Sequence, residues 1–365
     1  MRKEIIVFLF FLLVGGKVCA IEENSFSILY TQIPEQYVEN ISPEDVAVKV
    51  LKGITVLDKQ LRVGDDDDKI SLYYRGRLQK VLHKPADKNN VAGWVDLSSE
   101  LTDIALEKSI VAQQYDFEMI DRMMGEAVKN LDGDSKYYAS IDDWKSERPK
   151  HKRNFGSRME GKNLYLKIVV FNNFTISEIE KAVREYPDFA GVILDLRGNS
   201  GGMLGEAIKT ADLFLDEAII VSSKGRDEDS LTYYTAKEGD IIEGKPMVVL
   251  VDGQTASAAE VLAVALQEQG RAKIVGTKTW GKGSIQNLIN MPSGGVLSLT
   301  NSYFYTPSGY KLHRRGIIPD VCTFEMPESK DINNLLAIGK VHDCKSESRE
   351  DTELELKVAI SLLNL

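Results

Sequence analysis

The chain has 365 residues, 43% of them hydrophobic and 27% charged, with only 10 prolines. That balance excludes a disordered chain, and the length suffices for two domains with a large core needing no metal or disulfide staples. The formal net charge of −10 argues against nucleic acid or an anionic membrane as partner.

Residues 1–20 read as a signal peptide: Arg2 and Lys3, an apolar run from Ile5 to Val14, then small residues ending at Val18-Cys19-Ala20. A run of ten residues reaches about 15 Å as a helix, half of a bilayer core, so cleavage after Ala20 is expected rather than anchoring. Cleavage removes Arg2, Lys3, Lys17 and Glu4, taking the net charge to −12. The expected location is periplasmic or secreted. Cys322 and Cys344 then remain in a compartment where disulfides form, and their pairing stays open. The histidines, His83, His151, His313 and His342, lack zinc-site spacing, so no metal and no other cofactor is expected.

From Ser25 to about Gly93 the pattern is mixed. Ser42-Pro43-Glu44-Asp45 starts a helix, with an N-cap, an N1 proline and a capping acid before Val46, Val50, Leu51 and Ile54. Strand-like runs at Gln60–Val63 and Ile70–Tyr74 flank the acidic run Asp65–Asp68, which lacks calcium-loop spacing and reads as a solvated hairpin turn. Asp96 to about Leu131 has helical periodicity, with Met123 and Met124 as core. Asp132–Ser135 is a turn without the ligand pattern of an EF-hand, and the polar, basic stretch Lys145–Ser157 marks a boundary.

Beyond Gly161 strands and helices alternate: Leu164–Phe171, helix Ile176–Glu185, Gly191–Leu196, helix Met203–Leu215, Ile219–Ser222, Met247–Asp252, helix Ser257–Gln267, then strands Ser284–Asn290 and Gly295–Tyr305. Continuous Val/Ile/Leu strand runs indicate a sheet buried on both faces, hence an α/β fold with parallel pairs. Helices from about Asp331 and over Thr352–Leu363 close the chain. The expected division is 1–20 signal, 21–150 mixed and helical domain, 151–326 core, and 327–365 helical segment.

Three segments could carry chemistry. Gly191 to Gly202 is a buried strand entering the glycine-rich turn RGNSGG and then a helix, which lets main-chain N–H groups face an anion or a developing oxyanion. Met247–Asp252 leads through Gly253-Gln254-Thr255-Ala256 to Ser257, where strand turns into helix, the place of an activated nucleophile. On this segment alone a helix cap at Ser257 or Thr255 explains the residues as well. Gly276–Gln286, GTKTWGKGSIQ, starts like a phosphate loop but has Gly283 where the magnesium-binding hydroxyl belongs and leads into a strand. If that strand starts at Lys282, period 2 puts Lys282, Ser284 and Gln286 on one face, so an amide at Gln286 can orient an amine that serves as base when neutral.

The ordered motifs LDLRGNSGG, VDGQTASAAE, GRAKIVGTKTWGKGSIQ and HRRGIIPDV, spread over Gly161 to Val321, resemble the S41 serine peptidases, the C-terminal processing or tail-specific proteases. The resemblance implies an α/β, ClpP/crotonase-like peptidase core, Ser257 as nucleophile, Lys282 as base and Gln286 as orienting amide. It also implies an oxyanion hole from the backbone of Ala258 with Gly201 or Gly202. Implied partners are protein or peptide substrates bound as an extended strand, with no nucleotide and with homo-oligomerisation open. His313 is expected to be structural or on the surface, and Glu260 and Glu268 to make helix-surface salt bridges.

Typical members carry a PDZ domain between a motif like LDGDSKYY and the core. Here 26 positions separate Tyr138 from Leu164, too few for such a fold, so no PDZ domain is expected. Two other functions stay in view: a non-catalytic carrier of an apolar ligand or peptide on the same fold, and a nucleotide-dependent enzyme using Gly276–Gly283. Ser257, Lys282 and Gln286 together argue against the carrier, and Gly283 against the nucleotide.

Overall fold

The computed structural model describes residues 24–115, 118–147, 154–324, 344–347 and 353–364. The expected signal segment and the helix expected from Asp331 lie outside them. Two compact units form, one of residues up to Pro149 with Ile285–Ser302, the other of Lys150–Ser284 with residues from Tyr303 on.

The first unit opens with a helix, α1 (24–36), that the mixed pattern did not reveal, although Phe26, Leu29, Tyr30 and Ile33 form its buried stripe. Helix α2 (Pro43–Lys52) starts as expected, with Ser42 and Asp45 in a reciprocal capping box. Strands β1 (Leu61–Asp65) and β2 (Lys69–Tyr74) form the expected hairpin around the acidic run, and β3 (Arg77–His83) adds a third antiparallel strand. Helices α3 (Val91–Lys108), α4 (Ile110–Gln113) and α5 (Met119–Lys129) follow, with Met123 and Met124 fully buried. Asp132 then closes a turn by accepting the N–H groups of Asp134 and Ser135 at 2.8 and 2.6 Å. Beyond it come β4 (Lys136–Tyr138) and α6 (Ile141–Ser146).

The second unit is built on β5 (Phe155–Glu160), β6 (Asn163–Ile168), α7 (Thr175–Glu185), β7 (Gly191–Asp195), α8 (Leu204–Asp212), β8 (Ile219–Lys224), β9 (Thr232–Thr235), β10 (Met247–Val251), α9 (Ala258–Glu268) and β11 (Lys273–Gly276). Along the chain there follow β12 (Ser284–Asn290) and β13 (Val296–Tyr305), most of whose residues belong to the first unit, and then β14 (Val321–Cys322) and α10 (Glu353–Leu362) of the second. The main sheet runs β14-β11-β10-β7-β6-β5, parallel throughout except for β5. Its central strands β7 and β10 are buried at every residue, as their unbroken apolar runs require. Leu354, Val358 and Ala359 of α10 pack on one face, against Ile193, Val248, Leu250 and Val275. Val192, Leu194 and Val249, pointing the other way, are equally buried.

The Ile219 run departs from the expected parallel sheet: β8 pairs antiparallel with β9 and with Tyr303–Tyr305 at the end of β13. An apolar run of that length fits either sheet type, and only its partners decide. Cys322 and Cys344 are bridged, with Cα atoms 5.9 Å apart. Among the described residues no helix is long and apolar enough to cross a membrane.

Candidate active site

Three loops leave the carboxyl ends of the adjacent parallel strands β7, β10 and β11, where an open α/β sheet places its ligand crevice. Each is tied to the next by short polar side chains that the strand run alone cannot support, because the backbone there leaves the ladder.

After β7, Asn199 is fully buried and pins the glycine turn: its Nδ2 donates to Ile168 O at 3.0 Å and its Oδ1 accepts Gly201 N–H at 2.8 Å. Gly201 and Gly202 adopt φ of 109° and 124°, accessible to glycine alone at no steric cost. A Cβ at Gly201 would come within 2.9 Å of Ser257 Cβ and 3.1 Å of Ala258 N. The glycine main chain therefore lies directly against the serine turn. The Gly201 N–H is committed to Asn199.

After β10, one carboxylate organises the next turn. Asp252 Oδ1 accepts N–H bonds from Gly198 at 2.9 Å and from Gln254 and Thr255, each at 3.0 Å. The Thr255 hydroxyl donates to Leu196 O at 2.9 Å, so it ties two loops together and does not cap α9. Ser257 follows at φ 56°, ψ −122°, a conformation that costs a non-glycine residue free energy and marks sites where geometry is imposed. It stands at the N-terminus of α9, whose first-turn N–H groups favour developing negative charge.

The third loop, after β11, brings Lys282 to the same place. Glu260, fully buried, accepts Ser257 N–H and Lys282 N–H on Oε2, each at 2.9 Å, so these two nitrogens lie no further apart than twice that distance. Its Oε1 accepts Gly281 N–H at 2.7 Å and the Thr279 hydroxyl at 2.5 Å. Burial pushes the Glu260 carboxyl up, against these four donors, which favour the charged form. Glu260 thus corrects the expectation of a helix-surface salt bridge: it is the hub joining the serine turn to the lysine loop. Glu268, by contrast, accepts Ser308 N–H and hydroxyl at 2.7 and 3.0 Å.

Lys282 itself is half-buried and precedes β12, which begins at Ser284, so the expected face-sharing of Lys282 with Ser284 and Gln286 along one strand does not hold. Gln286 lies within β12. Gly283 is required by contact: a Cβ there would meet the His313 Cα at 2.8 Å, which explains why no hydroxyl residue follows Lys282. His313 stacks on Tyr303, ring centroids 4.9 Å apart.

Sequence reasoning missed Asn199, Asp252 and Thr279, and gave Glu260 a different role. A usable signal was there: short polar residues in turns directly after fully apolar strands must pair inside the protein.

Residues 162–323 match the profile of Peptidase family S41. A carboxy-terminal-processing protease of Bartonella bacilliformis is 41% identical over 170 residues, covering 45% of this chain and 39% of that protein. A carboxyl-terminal-processing protease of Synechocystis is 39% identical over 158 residues, 43% of this chain and 36% of the relative. The chain thus spans about two fifths of the length of these relatives. The solved structure of a photosystem II D1 C-terminal processing protease overlays with a TM-score of 0.45 at 25% identity, covering 55% of each chain. The segment that carries all three loops, residues 162–323, belongs to peptidase family S41.

Proposed function

We propose that this chain is an exported serine endopeptidase that hydrolyses peptide bonds with a Ser257/Lys282 dyad, in C-terminal processing or quality-control proteolysis. The observation that carries the reading is the shared carboxylate of Glu260, which holds the main chain of Ser257 and of Lys282 on one oxygen. Neutral Lys282 takes the Ser257 hydroxyl proton, and the alkoxide attacks the peptide carbonyl. The N–H groups of Ala258 and Gly202 hold the tetrahedral anion, and the lysine ammonium returns the proton to the leaving amine. Water, deprotonated by the same amine, then releases the acyl group. Gln286 keeps the orienting role that the sequence resemblance assigns to it.

The substrate binds as an extended strand. Met203, directly after the glycine turn, is 48% exposed and Trp280, in the lysine loop, 70%, offering apolar surface to substrate side chains near the scissile bond. With only α6 and β5 described between β4 and β6, too little for a PDZ fold, selection comes from this groove rather than from the substrate's tail.

The test is mass spectrometry of a flexible protein substrate, with a free or an amidated C-terminus, incubated with wild type, Ser257→Ala, Lys282→Ala and the double variant. Both substrates should be cleaved comparably. Each single variant should lose nearly all turnover and the double variant little more, because the pair acts as one unit. Full activity in either single variant would overturn the dyad, and dependence on the free carboxylate would overturn groove selection.

A further inference from the structure

A covalently tethered segment crosses two of the catalytic loops. Cys322, in β14, bridges Cys344. Cys344 Sγ lies 3.9 Å from Gly276 O, at the end of β11. Immediately beyond it, Lys345 O accepts the Lys278 N–H at 3.0 Å, and the Ser346 hydroxyl donates to Thr279 O at 3.5 Å. The Ser346 carbonyl rests on Gly253, where any Cβ would collide with it. These four residues therefore touch the serine turn at Gly253 and the lysine loop at Lys278 and Thr279. From Thr279 the next bond runs to Glu260, and from Glu260 to Ser257 and Lys282.

Among the described residues the other contacts of the segment are weak: the Lys345 ammonium lies 4.9 Å from the Phe324 ring centroid. Lys345, Ser346 and Glu347 are exposed, whereas Cys344 is buried at 5%. Two hydrogen bonds made by exposed residues hardly offset the entropy of ordering four residues, so the sulfur bridge is the anchor.

We propose that residues 344–347 are a positioning strap for the Ser257 and Lys282 loops, and that the Cys322–Cys344 disulfide makes the oxidised chain the competent form. This rests on the peptidase reading above. A dithiol reductant supplies two electrons and two protons: the S–S bond breaks, two cysteine thiols form, and the reductant leaves as a cyclic disulfide. Without the bridge the strap no longer fixes Lys278 and Thr279, and Glu260 loses the fixed Thr279 hydroxyl among its four donors. Trp280 follows Thr279 in the same loop, so kcat falls and KM rises with it.

Steady-state kinetics of the oxidised, dithiothreitol-reduced and reoxidised chain, and of Cys322→Ser, read the effect, with amide hydrogen exchange at Lys278 and Thr279 as a readout that needs no turnover. Reduction and Cys322→Ser should each lower kcat about tenfold and speed exchange at Lys278. Reoxidation should restore the wild-type chain, with circular dichroism constant throughout. Unchanged exchange, faster exchange with unchanged kcat, or loss of the folded signal along with activity would overturn the strap. Absence of Ser257-dependent turnover in the oxidised chain would instead overturn the peptidase reading, and with it the strap's part in turnover, while the exchange data still decide whether the bridge holds the loop.

Discussion

At the scale of single residues the site depends on a carboxylate that touches no substrate. Glu260 takes four donors with its two oxygens, and an amide in its place would turn an N–H₂ group toward two of them. Glu260→Gln should therefore lower turnover at least about tenfold and destabilise the fold by about 1–3 kcal/mol, the cost of buried donors left unmatched. Kinetics and denaturant unfolding of that variant check both numbers, and unchanged turnover would remove Glu260 from the site's architecture. The residue stood in view beside Ser257 in the sequence, but its role did not. Three positions after an N-cap is an ordinary place for a surface acid, and what made it a hub was the return of Gly281 and Lys282 from a different loop.

At the scale of elements, α9 fixes the turn that carries Ser257. Every residue from Ala258 to Leu266 is buried, because the helix packs against α8, β8 and β11. Such a helix cannot tilt to relieve a cavity, so Leu262→Ala should cost about 3 kcal/mol by the lost contacts and the void left behind. Thermal or chemical unfolding measures it, and a loss well below about 1 kcal/mol would mean the helix has room to move. In the second unit β6, β7 and β10 followed their sequence patterns, since they carry apolar runs bounded by turn residues, whereas β5, β9, β11 and β14 were not read from the sequence. Helix α1 and strand β3 did not announce themselves. β3 has no fully buried position, only exposed and half-buried ones, and its pairing with β2 is what makes it a strand.

For the whole molecule, acid stability should reflect a buried ion network behind the glycine turn. Asp195 receives Tyr165 Oη at 2.5 Å, Lys167 Nζ at 3.0 Å and Arg197 Nη2 at 2.6 Å, while Arg197 Nη1 reaches Glu355 of α10 at 2.9 Å. Burial alone would raise the Asp195 carboxyl, but the Arg197 bonds and the nearby Lys167 and Arg197 charges bring it from 3.8 down to about 2. A carboxylate whose folded value is depressed stabilises the protein above its unfolded value, and that contribution disappears as pH falls through the folded one. About 2 kcal/mol should therefore be lost between pH 3.8 and about 2. Asp195→Asn should be less stable at neutral pH and lack this share of the acid loss. Urea unfolding at a series of pH values separates the two, and parallel curves for both proteins would refute the assignment.

The amino-acid sequence by itself determined the α/β class, the parallel core and the candidate residues Ser257 and Lys282, because apolar periodicity, glycines at strand ends and four ordered motifs are local and survive without coordinates. Tertiary structure decided which polar side chains hold the loops together, which sheet β8 joins, and that Cys322 finds Cys344. The decisive pairings, such as Glu260 with Lys282, Thr255 with Leu196 and β8 with β13, join residues distant in the chain, and their energy exists only once the strands that carry them have packed.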